Sequence, residues 1–89
     1  MPKIARKDDT TEGKGKVVTV ASTVFANGIA VGIHTSDIAK HPGGGKHNAS
    51  KTTEGSPTVF ADGKPVLRVG SGSTCGHKVN QGSPDVFVP

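Results

Sequence analysis

The chain has 89 residues and a formal net charge of +4. Leu, Ile, Val and Phe make up only 19 of those residues, against 13 Gly and 6 Pro, which is little material for a core in a chain that at this size buries only about 60–65% of its unfolded surface. The longest stretch free of Gly and Pro, residues 16–27, is β-branched rather than helical; this excludes a helix bundle, a coiled coil and a transmembrane helix of about 20 apolar residues, and the single Cys excludes an internal disulfide framework.

The N-terminal stretch mixes cations and acids (Lys3, Arg6 and Lys7, then Asp8, Asp9 and Glu12, then Lys14 and Lys16) and reads as a solvated, frayed terminus. No apolar h-region follows Met1, so Sec-type export is not expected. The cations are spread over the chain and there is no Tyr or Trp, so the stacking platforms of a nucleic-acid arm are lacking. Next comes Thr23-Val24-Phe25-Ala26-Asn27-Gly28, a short β run ending in the Asn-Gly pair favoured by type I′ hairpin turns. Residues 29–31 form its return strand. A Gly-rich connection, residues 33–51, then carries His34, His41 and His47.

Thr58-Val59-Phe60-Ala61-Asp62-Gly63 repeats the first run with Asp-Gly at the turn, and residues 66–69 are its return strand. Pro65 cannot donate to a ladder and belongs at the strand start or on an edge. A second connection, residues 70–82, carries Cys75 and His77, and the chain ends on a third copy, Asp85-Val86-Phe87-Val88. Gly55-Ser56-Pro57 and Gly82-Ser83-Pro84 precede the second and third copies identically. All three Phe hold the same repeat position, at spacings of 35 and 27 residues. The repeat predicts an all-β fold of three hairpin arms with pseudo-threefold symmetry, in which Phe25, Phe60 and Phe87 meet as a small core.

Long connections without structure of their own are functional or disordered, and Pro42-Gly43-Gly44-Gly45 cannot order itself. All four His and the only Cys lie in or beside these connections. Imidazole and thiolate are the donors of closed tetrahedral Zn²⁺ sites, and a structural Zn²⁺ contributes roughly 10–16 kcal/mol in small peptides, more than so thin a core supplies. The spacings match no zinc-finger pattern and do not by themselves select four ligands from the five. An enzyme is not expected. Cys75-Gly76-His77 as nucleophile and base lacks an orienting carboxylate and an oxyanion platform, and a catalytic zinc would need an open position in a cleft.

The chain resembles the PAAR-repeat proteins, which form the tips of contractile phage tail spikes and type VI secretion spikes. The likeness is best over residues 55–70, where Pro65-Val66-Leu67-Arg68 stands in place of the name-giving tetrad. The closing Gly82-Ser83-Pro84-Asp85-Val86-Phe87-Val88 is similar to the family's C-terminus. Family loops often carry Gly-Asp, three residues, then Cys or His; Cys75 holds that slot after Gly70-Ser71, and His41 holds it after Ser36-Asp37. The first repeat departs from the tetrad, with Ile29-Ala30-Val31-Gly32.

The resemblance implies one domain over residues 1–89 without a fused extension: a small cone of three β-faces, its long loops pinned by a metal at the apex. It implies one Zn²⁺ (Fe²⁺ suits the same donors) held by His34, His41, His47 and Cys75, with His77 in reserve. It implies a non-enzymatic part, one copy per spike, that caps a trimeric β-helical spike of the VgrG or phage central-spike type and meets the target membrane transiently. The C-terminal Val86, Phe87 and Val88 are then the expected spike contacts. Such a protein is made in the bacterial cytoplasm and carried outward at the tip of a phage tail or secretion spike; no small-molecule substrate is expected. The competing reading is a free-standing metal-binding module for nucleic acid or a cell-surface polymer.

Overall fold

Two hairpins form where the Asn-Gly and Asp-Gly pairs fall. In a computed structural model describing residues 1–89, β1 (Val20–Ala26) pairs antiparallel with β2 (Ile29–Gly32), and β3 (Phe60–Ala61) with β4 (Lys64–Pro65). Asn27 and Gly28 have φ of 56° and 75°, and Asp62 and Gly63 have 53° and 76°, the two positive values a type I′ turn requires. The registers match: Phe25 faces Ala30, and Phe60 faces Pro65. Pro65 ends β4; of residues 66–69, expected to pair within their own hairpin, Val66 still donates to the Val59 carbonyl at 3.1 Å, whereas Leu67 and Val69 donate to Gly32 and Lys3 of the neighbouring arms.

The third arm has no turn. Phe87 forms an antiparallel bridge with Lys3, the Val88 amide donates to the Pro2 carbonyl at 2.9 Å, and the Ile4 amide donates to the Val86 carbonyl at 2.9 Å. The N-terminal residues are thus the return strand of the last repeat. They are not frayed as their charge pattern suggested: Ile4 and Ala5 are buried at 4% and 0% exposure.

The three return strands close on one another. The Ala5 amide donates to Leu67, Leu67 to Gly32, and Gly32 back to Ala5, each at 2.9 Å. One residue further out in each strand, Ile4 bridges Arg68, Arg6 bridges Val31, and Ile33 bridges Val66. Beyond this triangle the connections are also linked in a cycle, through Val17 with Ile38, Thr52 with Ser73, and Val79 with Thr11. The long connections therefore carry β-bridges of their own, together with two 3-10 turns, Glu12–Lys14 and Gly45–Asn48.

Packing follows the same symmetry. Ala26, Ala61 and Val88 occupy equivalent inward positions, as do Ile4, Val31 and Val66, and all six lie in the main apolar cluster. On the axis sit Ala5, Gly32 and Leu67. Leu67, the only Leu, is fully buried among Ala5, Val17 and Val79, and a Cβ on Gly32 would come 2.8 Å from Val17 Cγ1 and 3.0 Å from Leu67 Cδ1. With Leu67 in place, the axis has no room for a side chain at Gly32.

The Phe core is not formed. Phe25, Phe60 and Phe87 are 58%, 56% and 45% exposed, because side chains alternate along a strand and the following residues, Ala26, Ala61 and Val88, take the inward positions. The rings instead stud the outside of the three arms.

The arms are stapled in sequence. Asp62 of the second turn accepts from the Ser22 amide and hydroxyl at 2.8 and 2.9 Å. Asn27 of the first turn donates to Asp85 Oδ1 at 2.7 Å and accepts from the Ser83 hydroxyl and Arg6. Arg6 also pairs with buried Asp9, Nε to Oδ2 at 3.1 Å.

Candidate metal centre

The loop layer ends in a cluster of His41, His47, Cys75 and His77, whose donor atoms all lie within 4.8 Å of one another. Connection 33–51 supplies two of them and connection 70–82 the other two. Nε2 of His41 lies 3.1 Å from His47 Nδ1, 3.3 Å from His77 Nδ1 and 3.6 Å from Cys75 Sγ. A tetrahedral ion with bonds of about 2.0–2.1 Å to nitrogen and 2.3 Å to sulfur separates its donors by about 3.3 Å (N···N) and about 3.6 Å (N···S). The cluster could hold a metal ion.

The electrostatics suit a cation. Burial would raise the Cys75 thiol, but hydrogen bonds from Ser73, the His77 backbone, Ser50 and His41 outweigh it and bring the thiol down to about 5. His41 is shifted upward, first by its hydrogen bond to the Ala39 carbonyl, against the opposing effect of burial, with help from Cys75. That bond, 2.9 Å from Nδ1, leaves Nε2 to face the other donors, as an outer-shell partner orients a ligating imidazole.

Two glycines let the backbone close over the rings. A Cβ on Gly13 would stand 2.2 Å from His77 Cε1, and one on Gly43 would stand 2.4 Å from His47 Cδ2. Gly13 belongs to the N-terminal loop, which packs against the cluster without contributing a donor.

His34 is not in the cluster, and His77, held in reserve, takes its place. Both His34 ring nitrogens face threonines, Nδ1 at 3.0 Å from Thr52 Oγ1 and Nε2 at 3.2 Å from Thr35 Oγ1. The reason is register. His34 is the equivalent of Lys7 and Val69 on the return strands; the three amides donate in turn to Pro65, Ala30 and Lys3 at 2.8, 2.8 and 2.9 Å. The position belongs to the triangle, one layer short of the cluster. The slot three residues after Gly-Asp places both His41 and Cys75 in the cluster. No comparable signal marks His77 beyond its being two residues from Cys75.

Of the C-terminal trio, only Phe87 offers an exposed side chain. Val86 is half-buried and Val88 is part of the core.

A three-armed β fold in one chain, closed at one end by a His and Cys cluster, defines a structural domain built to hold a shape. The model of the PAAR motif family matches residues 7–81, and the chain belongs to that family. The PAAR motif is associated with the spike tips of contractile injection systems, in phages and secretion systems, and its role there is structural rather than enzymatic. No curated protein matches the chain. Its tetrad equivalent works at the axis: the Pro65 carbonyl accepts from His34, Val66 and Leu67 are core, and Arg68 Nη1 donates to the Gly55 carbonyl at 2.9 Å. No helix is long and apolar enough to cross a membrane.

Proposed function

We propose that this protein caps the blunt end of a trimeric β-helical spike, one copy per trimer, and that His41, His47, Cys75 and His77 hold one Zn²⁺, or Fe²⁺ on the same donors, at the outward end. The observation that carries the reading is the set of three symmetry-equivalent, exposed Phe side chains on the arms. A single chain with three equivalent arms meets a threefold partner without needing three copies, and short strands at the arm ends offer edges to which the spike's strand ends can pair. The triangle and loop layers separate these arms from the metal end. With the arms on the spike, the metal end is the leading point; the protein protects the spike's strand ends and presents a rigid tip to the target membrane, delivered from the cytoplasm with the spike.

Co-expression with a trimeric β-helical spike protein and native mass spectrometry tests this. The expected species has one copy of this chain per spike trimer, and Phe25→Asp with Phe60→Asp loses it while remaining folded. A steeply salt-dependent affinity for duplex DNA with no spike complex would instead favour a free-standing binding module.

A further inference from the structure

The charge of this chain is sorted along its axis. Every His of the cluster has a lysine beside it in sequence: Lys40 before His41, Lys46 before His47, Lys78 after His77. Two more, Lys14 and Lys16, flank Gly15, where a Cβ would come 3.0 Å from His41 Nδ1. All five are exposed. The structure's ion pairs are Arg6 with Asp9 and Lys51 with Asp37, so none of the five lysines is neutralised. Of the carboxylates nearby in sequence, Asp37 is paired with Lys51, and Glu12 accepts from the Lys78 amide at 2.9 Å. Five lysines against Glu12 account for the whole net charge of +4, because the other six cations are matched by six carboxylates.

This is not the pattern of a generally basic protein, in which the excess is scattered. Each of Lys40, Lys46 and Lys78 is one Cα step, about 3.8 Å, from a residue whose side chain points into the cluster. All three are exposed on the segments that build the cluster, so their charge is concentrated at that end of the chain, and a divalent ion would add to the same field. Solubility alone does not call for such sorting, since the opposite end carries exposed Phe rings and balanced charge.

We infer that these lysines form a cationic collar that engages the phosphate groups of an anionic lipid surface. The inference rests on the proposal that the metal end leads, and it names the chemistry that end first meets. A juxtaposed lysine near an anionic bilayer strengthens attachment about fivefold, and the attraction fades within a Debye length. The contact is accordingly shallow and reversible, suited to seating a point on a headgroup layer rather than anchoring it.

The test is sedimentation of the full chain with phosphatidylcholine vesicles, with and without one-third phosphatidylglycerol, at low and high salt. The native protein binds the anionic vesicles only, and releases them at high salt. Lys40→Gln, Lys46→Gln and Lys78→Gln together weaken binding about a hundredfold with unchanged melting temperature and metal content. A control of equal net charge outside the collar segments, Lys3→Gln and Lys7→Gln on the N-terminal return strand and Lys64→Gln on β4, stays within about twofold of the parent. Equal losses in both triple variants would show that only net charge matters and overturn the collar. So would spike-complex formation by a protein that ignores anionic vesicles, or binding to duplex DNA alone. Collar-dependent vesicle binding without a spike complex would uphold the collar while refuting the capping role.

Discussion

Leu67→Ala is the substitution that most directly tests the axial packing. Leu67 is fully buried, and its axial neighbours, Ala5 and Gly32, cannot swing in to fill the space it leaves. The backbone around it is fixed by the ring of 2.9 Å hydrogen bonds through Ala5, Leu67 and Gly32, so collapse into the cavity would have to break that ring. A site that cannot relax belongs at the upper end of the Leu→Ala range, about 3–5 kcal/mol. In a domain of this size each kcal/mol lowers the melting temperature by about 4–8 °C, so the expected fall is roughly 15–30 °C, a large share of a stability that for most domains is about 5–15 kcal/mol. Phe60→Ala, which removes more atoms from a ring 56% exposed, should cost about 1 kcal/mol or less. The measurement is far-UV circular dichroism during urea and thermal unfolding, with metal held at a fixed excess because ligand binding shifts apparent stability. If Phe60→Ala proved as costly as Leu67→Ala, the rings would be core after all and the axial account would be wrong.

His77→Ala should weaken metal retention by at least tenfold, whereas His34→Ala should leave it unchanged and cost about 1 kcal/mol from the lost threonine contacts; competition with a chromophoric chelator separates the two. Chelation of the native protein should lower its melting temperature, and Cys75→Ser should reproduce that loss, as read by calorimetry with and without chelator. Asp62 is held below its ordinary value of 3.8, first by the Ser22 amide, and Asp85 is held below the same value, first by the Asn27 side chain. A depressed carboxyl stabilises fully above its unfolded value and loses that contribution as pH falls through its folded one, so urea midpoints should drop below about pH 4, and Asp62→Asn should flatten that acid limb. Asn27→Ala removes a turn residue at φ 56° together with its bonds to Ser83 and Asp85, at a cost of about 1–3 kcal/mol by urea titration.

The turns were legible because Asn-Gly and Asp-Gly state a local backbone requirement that no distant contact overrides. The threefold order was legible because the three copies repeat outright. What misled was weighting the repeat by hydrophobicity alone: Phe is the most apolar residue of each copy, but the period of two means that either the Phe or its neighbour can face inward. The small Ala26 and Ala61 were the signal, since their side chains leave the room near the axis in which the equivalent Val88 packs. The N-terminal strand was hidden for a different reason. It closes the third arm across more than 80 residues of sequence, and no turn residue marks such a partner. His34 and His77 are a matter of layer. Spacing counted along a loop does not show where a strand ends, whereas setting His34 against its equivalents Lys7 and Val69 does.

Building three arms from one chain permits an axial layer of unlike residues that three identical chains could not form. On an exact threefold axis every residue appears in triplicate, so each axial layer must be filled by three identical side chains. Here the axial layer is Ala5, Gly32 and Leu67, one filler and two spacers, joined by three equivalent backbone bonds. A four-donor site poses the same difficulty, because four ligands cannot be distributed equally over three symmetric loops. The chain supplies two from one connection, two from another and, from the third, Gly13 against the ring of His77. Backbone symmetry is therefore retained in the arms and abandoned layer by layer toward the cluster of His41, His47, Cys75 and His77, whose four donors come from two of the three loops.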